Sequence, residues 1–127
     1  MRLLVDTQLL IWTSSRSRRL SPAARDAIEL ADTVAFSVVS IWEVAIKRAK
    51  QGPSFDVVPN VLRDGLLRVG YHELPVTGAH SLAVTDLPPH HGDPFDRMLV
   101  AQARSEGLTL LNADRTLAGY GLSVQVI

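Results

Sequence analysis

The stretch Leu3-Leu4-Val5-Asp6 most constrains how this chain can fold. Three apolar residues run directly into one carboxylate, and Thr7-Gln8 then lead into a second apolar run, Leu9-Leu10-Ile11-Trp12. A short apolar run before a polar break reads as a strand buried on both faces, followed by a helix. Open α/β sheets place their chemistry at the carboxyl ends of such strands. The device returns near the other end, where Leu108-Thr109-Leu110-Leu111 runs into Asn112-Ala113-Asp114. The intervening chain then serves as the scaffold that brings two strand ends together.

Helix and strand signals alternate through that scaffold. Ser21-Pro22 caps and opens a helix to about Leu30, and Val34-Ala35-Phe36 reads as a second strand. Ser40-Ile41-Trp42-Glu43 matches a capping box, opening a helix to about Gln51 that Gly52 stops. Asp56 is expected to cap a helix through about Val69, with Pro59 in its first turn and Gly70 at its end. Tyr71-His72-Glu73-Leu74 reads as a short strand, and Thr77 opens a helix to about Val84. Leu87-Pro88-Pro89-His90-His91-Gly92 reads as a rigid loop. Asp93-Pro94-Phe95-Asp96 begins a helix to about Glu106, stopped by Gly107; a helical turn from Asp114 and a strand near 123–126 close the chain. This order predicts one domain over residues 1–127, an α/β fold of three layers, α/β/α, around a mainly parallel sheet.

Composition removes several function classes. A chain of 127 residues with 46% hydrophobic side chains is expected to fold around a real core. With no cysteine, neither a disulfide framework nor a thiolate metal site is available. No apolar run reaches the length of a membrane span, so a cytoplasmic protein with no membrane contact is expected. Thirteen basic residues against thirteen acidic ones leave no overall positive field for gripping nucleic acid. Contacts to phosphate must therefore be local. Arg16, Arg18 and Arg19 form one basic cluster and Lys47, Arg48 and Lys50 another, and each also reads as a solvated surface.

Four carboxylates carry the chemical signal, and each has a purely structural reading beside it. Asp6 and Asp114 follow buried strands, where either can cap the next helical turn. Glu43 completes the capping box with Ser40 and stands four residues before Lys47, the favourable order for a helical ion pair. Asp96 shares a helix face with Leu99, Val100 and Ala103 while Asp93 already caps that helix, so an inward carboxylate there needs a cation or donors to meet it. If the four converge, mutual repulsion calls for a divalent cation between them. Oxygen-only ligands point to Mg²⁺ or Mn²⁺ and away from Zn²⁺. Such a centre suits hydrolysis of a phosphodiester. His90 and His91 are adjacent, point opposite ways on an extended chain, and are left out of the site.

The runs LLVDTQ at 3–8, SIWEVAIK at 40–47, PPHHGDPFDRMLVAQA at 88–103 and LNADRTLAGYG at 111–121 together resemble the PIN domain. Within it they are most similar to VapC-type toxins of type II toxin–antitoxin pairs. The family's acidic positions fall on Asp6, Glu43, Asp96 and Asp114. The resemblance implies Mg²⁺-dependent endoribonuclease activity, a cognate antitoxin as partner, a homodimer and a toxin–antitoxin hetero-oligomer. It implies that Asp6 and Asp96 hold the metal, that Asp114 completes the shell directly or through water, and that Glu43 orients or deprotonates the attacking water or holds a second ion. Arg97, Lys47, Arg16, Arg18 and Arg19 become candidate RNA phosphate contacts. Relatives often carry His where Gln8 stands, and Thr or Ser where Asn112 stands.

Two other classes compete. A signalling receiver domain needs an adjacent acidic pair after its first strand and a lysine after a late one, and Thr7-Gln8 and Asn112-Ala113-Asp114 supply neither. A catalytically silent module that keeps this fold to dock a partner has no reason to retain all four acids.

Overall fold

The computed structural model describes residues 1–90 and 92–127. Its strands are β1 (Arg2–Val5), β2 (Thr33–Ser37), β3 (His72–Leu74), β4 (Thr109–Asn112) and β5 (Val124–Val126). They form one sheet in the order β3-β2-β1-β4-β5, every neighbouring pair parallel. The apolar run at the N-terminus therefore sits in the middle of the sheet. Leu3, Leu4 and Val5 register against Thr109, Leu110 and Leu111, which sets the two strand ends side by side.

The helices are α1 (Thr7–Ser14), α2 (Pro22–Leu30), α3 (Val38–Gln51), α4 (Pro59–Arg68), α5 (Gly78–Ala83) and α6 (Pro94–Glu106). Side chains alternate across β1, so its residues feed two cores. Leu3 and Val5 join Leu9, Leu10, Ala24, Phe36, Val44, Leu62 and Leu66 on the face covered by α1 to α4. Leu4 joins Val39, Leu99, Val100, Ala103, Leu110 and Leu117 on the face covered by α6 and the segment after β4. The three layers follow from that alternation.

Local chemistry explains most helix ends. Ser21 and Asp93 cap α2 and α6, each helix with proline in its first turn. Gly107 ends α6 in the left-handed region at φ 65°, where a side chain costs energy. Thr77 caps α5 in a reciprocal box closed by the His80 ring.

Two boundaries differ from expectation. Helix α3 begins at Val38, with Ser37 as its cap, so Ser40 lies inside the helix and forms no capping box with Glu43. Two β-branched valines had favoured extended chain there, and packing in the core overrides that preference. Helix α4 begins at Pro59, not near Asp56, because a residue before proline is driven out of the helical region and Val58 is extended.

Candidate functional site

Parallel strands present their carboxyl ends on one edge, and the order 3-2-1-4-5 makes the gap between β1 and β4 the point where the chain's winding reverses. Asp6 follows β1 there, its amide donating to the Leu111 carbonyl of β4 at 3.0 Å. Its carboxylate caps α1, accepting from the Leu9 amide at 2.9 Å. The side chain is buried, with the residue 7% exposed, and no lysine or arginine among the described residues forms an ion pair with it.

Burial pushes the Asp6 carboxyl up to about 7, against the lowering effect of the Leu9 amide. Asp96, Glu43 and Asp114, in that order, push it further in the same direction. Three of the acids chosen from sequence thus act on the fourth, Asp6, from positions as far as 108 residues away in the chain. Among the described residues no three Asp, Glu or His side chains are already closed around one centre. The acids gather at one edge without forming a finished cage. By chemistry they still fit a hard divalent cation: the donors are all oxygen, and a positive charge relieves the burial and repulsion that push the Asp6 carboxyl up.

Each of the other three is positioned by its own element. Asp96 lies in the first turn of α6, its amide accepted by Asp93 Oδ1 at 3.2 Å. Glu43, 12% exposed, projects from α3, where its Oε1 accepts from Thr7 Oγ1 at 2.7 Å and its Oε2 pairs with Lys47 at 3.3 Å. Asp114 accepts from the Thr116 amide at 2.9 Å and from the Thr116 hydroxyl at 2.6 Å, capping the 3₁₀ segment Arg115–Ser123. Capping and clustering therefore coexist at Asp6 and Asp114.

Two residues at this edge, Thr7 and Ser40, were not among the site candidates, and a third, Asn112, was named only as a position where relatives carry another polar residue. Thr7 and Ser40 are buried, with their hydroxyls 2.9 Å apart between α1 and α3. Asn112 is fully buried, accepting the Asp114 amide at 2.9 Å and donating to the Gln125 carbonyl at 3.4 Å. The sequence signal for Thr7 and Asn112 is a polar residue beside a strand-end acid, and for Ser40 its three-residue spacing to Glu43. Gln8, in contrast, is exposed.

The basic candidates separate. Lys47 stays with Glu43. Arg97 donates to the Pro88 carbonyl and Tyr120 hydroxyl at 3.1 Å each and to the Val84 carbonyl at 3.2 Å, so its guanidinium clamps loop to helix. Arg16 lines a hollow with Thr13, Arg25, Ile28 and Tyr71. Tyr71 immediately precedes β3, so that hollow lies at the amino edge of the sheet, opposite the acids. Arg18 and Arg19 are exposed in the same loop. His90 is exposed, its ring edge-on to Tyr120 at 5.2 Å, and His91 lies outside the described residues. A hollow of about 610 Å³ beside the site is lined by Val38, Val39, Trp42, Val76, Phe95 and Met98, with none of the four acids in its wall.

The family model described as "PIN domain" matches residues 3–121. The chain belongs to the PIN domain family. This PIN domain is 34% identical over 120 residues to Ribonuclease VapC22 of Mycobacterium tuberculosis, covering 92% of this chain and 90% of that one. Solved structures of similar fold include VapBC2 from Rickettsia felis bound to a promoter DNA fragment, with a TM-score of 0.69 at 12% identity over 100% of this chain and 98% of that chain. A toxin–antitoxin complex from Klebsiella pneumoniae matches with a TM-score of 0.69 at 21% identity, covering 98% of this chain and 96% of that chain. At those identities the likeness establishes the fold. Membership of the PIN family also sets aside the receiver-domain reading.

Proposed function

We propose that this PIN domain is a divalent-metal-dependent endoribonuclease and the toxin of a toxin–antitoxin pair. The observation that carries the reading is the convergence of Asp96, Glu43 and Asp114 on the buried Asp6 at the switch point of the sheet. The relationship to a protein named as a ribonuclease supports the choice of RNA. Likeness in fold to toxin–antitoxin complexes supports an antitoxin partner.

In this reading Asp6 and Asp96 would hold Mg²⁺ or Mn²⁺, with Asp114 completing the set directly or through water. When bound, the ion supplies charge neutralisation at the phosphate and acidifies a water. Glu43 would orient the attacking water and take its proton, its carboxylate contacted on one side by Thr7 and on the other by Lys47. Attack in line breaks the bond from phosphorus to the 3′ oxygen, leaving a 5′-phosphate and a 3′-hydroxyl. Lys47 is the retained candidate for a phosphate contact. The protein acts in the cytoplasm as a homodimer and, when neutralised, in a hetero-oligomer with its antitoxin. The apolar hollow around the exposed Trp42 supports a protein partner beside the site.

The test is cleavage of total RNA by antitoxin-free protein with Mg²⁺, run beside Asp96→Asn. Discrete cuts that vanish with chelator and in the variant are expected. Metal binding without cleavage by the parent would instead indicate a silent binding module.

A further inference from the structure

We propose that Thr7 is the positioning residue that fixes Glu43, with Ser40 standing behind it in a three-membered hydrogen-bond chain. The proposal rests on the nuclease reading for its consequence in catalysis, but its geometry stands alone. A hydroxyl has one proton to give, and an ionised carboxylate only accepts. With Thr7 Oγ1 2.7 Å from Glu43 Oε1 and 2.9 Å from Ser40 Oγ, Thr7 gives its proton to Glu43 and receives one from Ser40. Such a chain polarises in one direction and strengthens the terminal bond.

The alternative anchor is weaker. Lys47 is 39% exposed at its side chain, and an ion pair one helical turn apart with a solvated, flexible lysine restrains little. Glutamate has several free torsions to lose, whereas a β-branched threonine has few. Thr7 is therefore a stiff donor held in the core, and Glu43 a flexible acceptor at its edge. Thr7 also directly follows Asp6, so one turn of α1 sets the position of two acids: Asp6 by the backbone and Glu43 through the hydroxyl. Ser40 is fully buried and belongs to α3, one turn before Glu43, which ties both helices to the same contact.

Thr7→Val keeps the shape and removes the hydroxyl, and Thr7→Ser keeps the hydroxyl. The chain has four glutamates, so protein labelled with ¹³C at the glutamate carboxyl gives four resonances. In metal-free protein, Thr7→Val is expected to move the Glu43 resonance and leave those of Glu29, Glu73 and Glu106 in place, and Thr7→Ser to return it towards the parent. In Mg²⁺-dependent cleavage, Thr7→Val is expected to lose about 10- to 100-fold, the usual cost of losing a group that orients a ligand or base. That loss falls on kcat with KM for RNA little changed, and Thr7→Ser restores most of it. Should Thr7→Val fail to fold, Ser40→Ala reads the same chain from behind, with a smaller movement of the same resonance. An unmoved Glu43 resonance in the variant read, or a Thr7→Ser protein as impaired as Thr7→Val, overturns the proposal. If the parent cuts no RNA, the nuclease reading fails while the carboxyl spectrum still decides the role of Thr7.

Discussion

Arg97 Nη1 donates to the Tyr120 hydroxyl at 3.1 Å, while the adjacent Asp96 adds its charge to that felt by Asp6. Two successive residues of α6 thus serve different ends: one braces the segment after β4, the other belongs to the acidic edge.

That division gives a prediction about stability. Tyr120→Phe removes one acceptor from Arg97 and is expected to cost about 1 kcal/mol. Arg97→Ala also strips donors from the Pro88 and Val84 carbonyls and is expected to cost more, about 2–3 kcal/mol. Urea unfolding of both variants measures the difference. An Arg97→Ala protein as stable as the parent would return the guanidinium to the list of phosphate contacts.

The Asp6 carboxyl, held at about 7 when folded against an ordinary value of 3.8, makes metal-free protein sensitive to pH. The folded state keeps a proton that the unfolded chain has released, so this contribution is full below about 4 and is lost as pH rises to about 7. Asp6→Asn lacks the effect. In chelator, the variant is expected to gain on the parent from pH 5 to pH 8, by on the order of a few kcal/mol. Added Mg²⁺ narrows that gap, because a ligand at a hundred times its Kd stabilises the parent by about 2.7 kcal/mol. Unfolding curves at the two pH values, with and without Mg²⁺, check both signs. A variant that tracks the parent throughout would remove Asp6 from the proposed metal centre.

Asn112 links the end of β4 to the turn bearing Asp114. Asn112→Ala removes the acceptor of the half-buried Asp114 amide, at an expected cost of about 1–2 kcal/mol. The freed turn is also expected to lower Mn²⁺ affinity, read by titration calorimetry on folded variant. Affinity equal to the parent's would mean that Asp114 does not depend on Asn112 for its position.

Much of this was legible in the residues. Apolar runs ending in a carboxylate mark central parallel strands because burial on both faces demands continuous apolar chain and the polar edge demands an end. Asp93, Ser21 and Gly107 mark their helix ends through local hydrogen bonds or backbone freedom, which need no distant partner. Ser40 misled because a capping box is a local pattern, while its hydroxyl belongs to a contact with Thr7, 33 residues away. Arg97 came forward as a phosphate contact through the family resemblance, and its carbonyl partners lie in segments nine and thirteen residues earlier, beyond any local pattern.

The alternation of elements, the parallel sheet and the four candidate acids are written along the chain, in periodicity, caps and residue chemistry. Which residues contact those acids is a matter of tertiary packing. It set Thr7 against Glu43, Asn112 against the turn of Asp114, and the Arg16 loop at the opposite edge of the sheet. The physical reason is that hydrogen bonds and desolvation depend on distance in space. Strand order brought Asp6 and Asp114 to one gap, and that order is a property of the packed layers.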